Sequence, residues 1–202
     1  MVIIGLCGNS GSGKSTVCKS FLKFGIPSID ADMVYRDLTT PGSELNKLLA
    51  FHFGDRILND DLSLNRGVLS EIVFSDKEGV KRLLLNRITH SSIINETVSR
   101  IENLKKQGKA AVIFDAPLLF ESGFDKKCDV IIAVTAKREK KIERIMKRDG
   151  IDYSKAVARL DSQLDEKFLV EHAHYVIDTT NGEDDIEDCV KNSIEKILKC
   201  EV

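Results

Sequence analysis

The chain has 202 residues, 42% hydrophobic and 31% charged, with a formal net charge of -2 at pH 7. This balance suits one soluble domain with a real core, and the near-neutral charge argues against nucleic acid or an anionic membrane as a partner. The five cysteines, Cys7, Cys18, Cys128, Cys189 and Cys200, contain no C-x-x-C pair, so reduced thiols in a cytoplasmic protein are expected, not a disulfide frame or a zinc site.

The opening "MVIIGLCGNS" has no basic lead-in and runs at once into glycines, so it reads as a strand and not as a signal peptide. No apolar run approaches the ~20 residues that span a bilayer. Five short apolar runs follow in order: "VIIGLC" (2–7), "IPSI" (26–29), "AAVIFD" (110–115), "VIIAV" (130–134) and "YVID" (175–178). Most are Val/Ile-rich without polar alternation, as in parallel strands buried on both faces. Helical patterns occupy 14–24, a long region 43–107, then 137–148, 153–171 and 184–199. The alternation predicts an α/β fold around a parallel sheet. Within the long helical region, "SDKE" (Ser75 to Glu78) has the form of a capping box opening a long helix, and Gly108 is the expected stop.

Between the first strand and first helix, Gly8, Gly13, Lys14 and Ser15 fit G-x-x-x-x-G-K-[ST]. Glycines let this loop turn its N–H groups, those of Gly11, Ser12 and Gly13 among them, towards phosphate oxygens, and the following helix adds its positive end. Lys14 is placed for the β- and γ-phosphates, Ser15 for Mg²⁺, and Thr16 for the α-phosphate. The loop alone also serves GTPases, motors and transporter subunits. A guanine-selecting N-K-x-D motif is missing after "VIIAV", where the text is "TAKREKK".

Two carboxylate sites could serve an acceptor. "IDAD" ends the second strand, expected beside the phosphate-loop strand. Asp30 and Asp32 would point the same way on extended backbone, one of them as proton acceptor; capping of the next helix is the alternative. "VIFDAPLLFE" carries Asp115 at a strand end, suited to orienting Mg²⁺ through water, with Pro117 turning the chain across the mouth of the site. In "KREKKIERIMKRDG", Arg144 and Arg148 share a helix face and suit the charge of a transferring phosphoryl group. Lys137, Arg138, Lys140 and Lys141 read as a solvated face. His172 and His174, alternate residues at a strand start, do not suggest a metal site.

Taken together, "IGLCGNSGSGKSTV", "GIPSIDADMVYRDLTTPGS", "RGVLSEIVF", "ITHSSI", "DAPLLFE", "RIMKRDG" and "RLDSQ" resemble the dephospho-coenzyme A kinase family nearly end to end. The resemblance implies ATP-dependent phosphorylation of the ribose 3′-hydroxyl of dephospho-CoA, the last step of coenzyme A synthesis, with Mg²⁺ as cofactor. The rival reading is another P-loop nucleoside or nucleotide kinase. The implied fold is the three-layer P-loop NTPase fold of nucleoside-monophosphate kinases, with a five-stranded parallel sheet. Its core would be about residues 1–35, 108–136 and 172–202, its helical CoA-binding insertion about 36–107 and its lid about 137–171. The resemblance makes Asp32 the general base and gives Lys14 and Arg144 catalytic roles. ATP would be bound by Gly11, Ser12, Gly13, Lys14, Ser15, Thr16, Arg144 and Arg148. Asp30, Arg66, His90, Asp115, Pro117 and Leu118 would border the acceptor, and Ser15 would hold Mg²⁺, with Asp32 or Asp115 acting through water. The chain departs from the family pattern at Ser91, usually proline; where D-G usually precedes the "LxR" element, as "NDDLSLNR"; and at His174 and Thr179, usually Asp and Asn. The final loop follows the last of these, where adenine is expected.

Overall fold

The computed structural model describes residues 1–199; Cys200 lies outside them. The elements run β1 (Val2–Cys7), α1 (Lys14–Lys23), β2 (Ser28–Asp30), α2 (Ala31–Leu38), α3 (Glu44–Phe53), α4 (Arg66–Phe74), α5 (Val80–Lys106), β3 (Ala111–Asp115), β4 (Val130–Thr135), α6 (Arg138–Asp149), α7 (Tyr153–Asp161), α8 (Glu166–Glu171), β5 (Tyr175–Asp178) and α9 (Glu183–Lys199). They form two compact units, Met1–Ile29 with Leu104–Val202, and Asp30–Asn103.

The first unit is built on a five-stranded sheet of order β2-β3-β1-β4-β5. β1 pairs in parallel with β3 on one side and β4 on the other, and β4 pairs in parallel with β5. The sequence reading therefore needs one correction: β2 is not the neighbour of β1. β3 lies between them, tied to the β2 side by the Ile113 N–H, which donates to Pro27 O at 2.9 Å. Ile4, Leu6, Ile113 and Ile132 are fully buried, packed with Val17 and Phe21 of α1 and Ile186 and Val190 of α9. Each such side chain contributes ~1.5–3 kcal/mol. An exposed ion pair such as Lys23–Glu187 contributes ~0–1 kcal/mol. Apolar burial, not surface charge, therefore holds the helices on the sheet.

The region 153–171 is two helices, not one. Ser162 ends α7, and the Asp165 carboxylate accepts from the Lys167 N–H at 3.1 Å to start α8.

The second unit packs Leu45, Leu49 and Phe53 of α3 against Ile57 and against Leu69, Ile72 and Val73 of α4. Asn46 is fully buried there, its Nδ2 donating to the carbonyls of Thr40 and Leu62 at 3.1 and 3.2 Å. Asn46→Ala removes a fully buried amide together with its two hydrogen bonds and is expected to lower stability by ~1 kcal/mol, measured as a lower urea midpoint. An unchanged midpoint contradicts this role. The expected Ser75 capping box is not formed. Ser75 closes α4, and Asp76 turns the chain into α5 by accepting from the N–H groups of Glu78 and Lys81 at 3.3 and 2.7 Å. At the other end of α5, Gly108 takes a left-handed φ of 73°. Gly108 N–H reaches Lys105 O, and Lys109 N–H reaches Leu104 O. This is the glycine stop expected from the sequence.

Candidate active site

β1 ends at Cys7 and the chain turns through Gly8–Gly13 into α1. Gly11 and Gly13 have φ of 77° and 93°, a region in which a side chain is strained. Space forbids one as well: a Cβ on Gly11 would lie 2.4 Å from Lys141 O. The α6 backbone thus packs directly on the loop. The Ser12 N–H donates to Asn9 O at 3.0 Å, and the N–H groups of Thr16 and Val17 donate to Gly13 O. Gly13 gives α1 no side-chain cap, so the first-turn amides and the helix dipole are left to serve an anion. Lys14 folds back along the loop, its Nζ donating to Gly8 O at 2.8 Å. Ser15 is exposed and Thr16 half-buried in the first turn of α1.

Three further elements close on the loop. From α6, Arg144 Nη1 donates to Gly11 O at 3.0 Å, and Arg148 Nη2 donates to Ser10 Oγ at 2.9 Å. From the α7–α8 loop, Gln163 Oε1 accepts from the Ser10 N–H at 2.7 Å, and Leu164 O accepts from Asn9 Nδ2 at 3.1 Å. From the end of β5, Thr179 Oγ1 donates to Ser12 O at 2.6 Å. Asp149 joins Arg148 and Arg159 in ion pairs of 2.8 and 2.6 Å. Arg148, then Arg159, hold its carboxyl below the usual carboxylate range.

Asp115 ends β3 opposite Leu6 of β1, two residues before the loop begins. It is half-buried, with Cys18 Sγ 3.8 Å from its Oδ2. Pro117 and Leu118 follow in an exposed turn, and Leu119 dives back into the core. Cys7, at the end of β1, is a thiol pushed up to about 11 by burial; Cys128 is pushed up to about 12 for the same reason. Neither is ionised near neutrality, so neither serves as a nucleophile there.

In the second unit, Asp30 and Asp32 do not lie on extended backbone; of the two readings of "IDAD", helix capping is the one found for Asp30. Helix α2 begins at Ala31, and Asp30 is its cap, its Oδ1 accepting from the N–H groups of Asp32 and Met33 at 2.8 and 3.1 Å. Asp32 stands exposed in the first turn, where the helix dipole favours its charge. Arg66 opens α4 with its guanidinium carbon 5.3 Å from the centre of the Tyr35 ring. Burial raises the Tyr35 hydroxyl pKa, and Arg66 opposes that shift. His90 is half-buried on α5.

A phosphate loop joined to arginines from α6 is shared by many kinases, so comparison with known proteins decides among them. The family model described as dephospho-CoA kinase matches residues 2–185. The chain belongs to the dephospho-CoA kinase family. A dephospho-CoA kinase from Lactobacillus johnsonii is 36% identical to this kinase over 194 residues, covering 96% of this chain and 97% of its own. Among solved structures, the Campylobacter jejuni dephospho-CoA kinase is 30% identical, with a TM-score of 0.70 over 99% of this chain and 98% of its own. A Thermus thermophilus protein, TT1252, superposes with a TM-score of 0.78 at 27% identity, covering 96% and 97% of the two chains.

Gln163 and Thr179, which bond the kinase's phosphate loop, and Lys141, whose backbone packs on it, were not singled out as site residues from the sequence. Lys141, read as solvated, is 4% exposed and pairs with Glu166 at 2.6 Å. It sits at the i−3 position from Arg144 and so shares its inward face, the one signal that could have found it. Gln163 lies in the quoted "RLDSQ", but nothing in the spacing says that the helix breaks there. Thr179 stood out only as a departure from the family pattern. His174, the other departure, belongs to the strand ladder: its Nδ1 accepts from the Ile131 N–H at 3.0 Å.

Proposed function

We propose that this kinase transfers the γ-phosphoryl group of ATP in line to the ribose 3′-hydroxyl of dephospho-CoA, with Asp32 as general base. The observation that carries the reading is the complete phosphate loop Gly8–Thr16 at the β1–α1 junction of a chain matched to this family over residues 2–185. The loop amides of Gly11, Ser12 and Gly13, with Lys14 and Thr16, hold the donor's phosphates. Arg144 and Arg148 offset charge as it shifts along the reaction axis. Asp32 accepts the proton of the attacking hydroxyl. Asp30, committed to the α2 cap, fixes the turn from which Asp32 projects. Arg66, His90, Asp115, Pro117 and Leu118 border the acceptor.

The oxygen donors available also fit Mg²⁺. The described residues hold no group of three His, Cys, Asp or Glu side chains able to bind a metal. A Ser15 hydroxyl with one carboxylate, Asp115 or Asp32, acting through water suits an ion bound mainly by substrate phosphates. When bound, such an ion supplies charge neutralisation at the β- and γ-phosphates. Among the described residues no helix is long and apolar enough to cross a membrane.

An ADP-release assay that offers dephospho-CoA, nucleosides and nucleoside monophosphates as acceptors tests the substrate. Dephospho-CoA is expected to be preferred by at least ~10²-fold in kcat/KM. A nucleoside or nucleotide turned over as well or better overturns the reading in favour of another small-molecule kinase on this scaffold.

A further inference from the structure

Thr179 does more than end β5. It is fully buried, and its hydroxyl lies between two functional parts of the first unit. Oγ1 donates to Ser12 O at 2.6 Å and accepts from Arg144 Nη1 at 2.8 Å. The Thr179 carbonyl accepts from Arg144 Nη2, also at 2.8 Å. A second acceptor, Thr135 O, lies 3.3 Å from the hydroxyl; one proton serves one strong bond, and the shorter distance puts it on Ser12 O. The backbone of Thr179 is anchored separately, its N–H donating to Thr135 O at 2.9 Å. The hydroxyl is therefore carried on a rigid strand end.

The Ser12 carbonyl belongs to the same planar peptide unit as the Gly13 N–H. In a trans peptide these two groups point in opposite directions. Pinning Ser12 O to the buried Thr179 side therefore aims the Gly13 N–H away from the β5 side, fixing that peptide plane before a ligand arrives. Contact enforces the same arrangement: a Cβ on Gly13 would lie 2.9 Å from Thr179 Oγ1 and 3.2 Å from its Cβ and Cγ2. The same oxygen orients Arg144, whose Nη1 also reaches Gly11 O. One hydroxyl thus sets both an amide of the phosphate loop and a guanidinium above it, in a relay from Arg144 through Thr179 to Ser12.

We infer that Thr179 is a positioning residue for the phosphoryl donor, acting through the Ser12–Gly13 peptide and Arg144 without touching ATP's reacting atoms. The inference rests on the reading that this loop holds the donor's phosphates, not on the identity of the acceptor.

The test compares Thr179→Val, which keeps the shape and removes the hydroxyl, with Thr179→Ser, which keeps the hydroxyl and removes a methyl. Affinity for a non-hydrolysable ATP analogue is measured by calorimetry, together with the KM for each substrate, kcat and the thermal midpoint. Thr179→Val is expected to weaken analogue binding and raise the KM for ATP by about tenfold, with the KM for dephospho-CoA unchanged. Thr179→Ser is expected to bind the analogue within about threefold of the parent. Two results overturn the inference: a Val variant with a lower midpoint but parental analogue affinity, or a Ser variant as impaired as Val. Should Thr179→Val fail to fold, Thr179→Ser decides alone, since loss of analogue affinity there contradicts the hydroxyl's role. Because analogue binding requires no acceptor, failure of the dephospho-CoA reading leaves this result intact and separately legible.

Discussion

Asp32→Asn is expected to lower kcat by ~10²–10⁴-fold, the range general-base catalysis supplies, while the Kd for ATP changes by less than about threefold. Asp30 Oδ1 takes the N–H groups of Asp32 and Met33, so Asp30 is occupied in starting α2. Asp32 follows as an exposed carboxylate in the first turn. Asparagine preserves its size and helix compatibility but cannot take a proton, so the fold and the phosphate loop are left unaltered. Single-turnover measurement of phosphoryl transfer separates the chemical step from product release. A variant that retains near-parental turnover removes Asp32 from the role of base. The same change at Asp30 would instead keep most of the cap, because asparagine caps helices about as well as aspartate.

Lys14→Ala is expected to lower kcat/KM for ATP by ~10²–10³-fold, comparable to losing one preorganised charge-stabilising donor, and to weaken ATP binding itself. Its Nζ donates to Gly8 O at 2.8 Å, which holds the ammonium against the loop that its own backbone begins to close. The glycine conformations and the Ser12 and Thr16 hydrogen bonds do not involve that side chain, so the loop should still form. Lys14→Arg is not expected to restore activity, since a planar guanidinium cannot replace a compact ammonium in a glycine-walled turn. Calorimetric titration with ATP and steady-state kinetics check both variants. Parental kcat/KM in Lys14→Ala contradicts the role.

Much of this fold was legible because its signals are local. Val/Ile runs marked β1, β3 and β4 to within about one residue, since strands buried on both faces carry no polar alternation to confuse them; β5, at the sheet edge with Val176 48% exposed, was still marked by its short apolar run. The G-x-x-x-x-G-K-[ST] spacing located the phosphate loop because a left-handed turn requires glycine. Strand order was less accessible. Nothing in "IPSI" or "AAVIFD" says which of them lies beside β1, and the sheet puts β3 there and β2 at the edge. Capping was legible in kind: the Ser75 capping box falls one residue away at Asp76, and for Asp30 the capping alternative is the one the structure shows. The contacts of Gln163 and Thr179 with the loop are illegible for a different reason. Each joins the loop to chain more than a hundred residues away, and such packing leaves no periodicity in the sequence.

The arrangement accounts for a loop that is held before ATP arrives: α6, the α7–α8 loop and the end of β5 between them bond Asn9, Ser10, Gly11 and Ser12. The central claim is that the phosphoryl group held there passes to dephospho-CoA. It is tested most directly by incubating the protein with γ-labelled ATP, Mg²⁺ and dephospho-CoA and locating the label. The account predicts stoichiometric label in the ribose 3′-monophosphate of CoA, with ADP formed in equal amount. Label released as inorganic phosphate, or carried on any other position or acceptor, would contradict it.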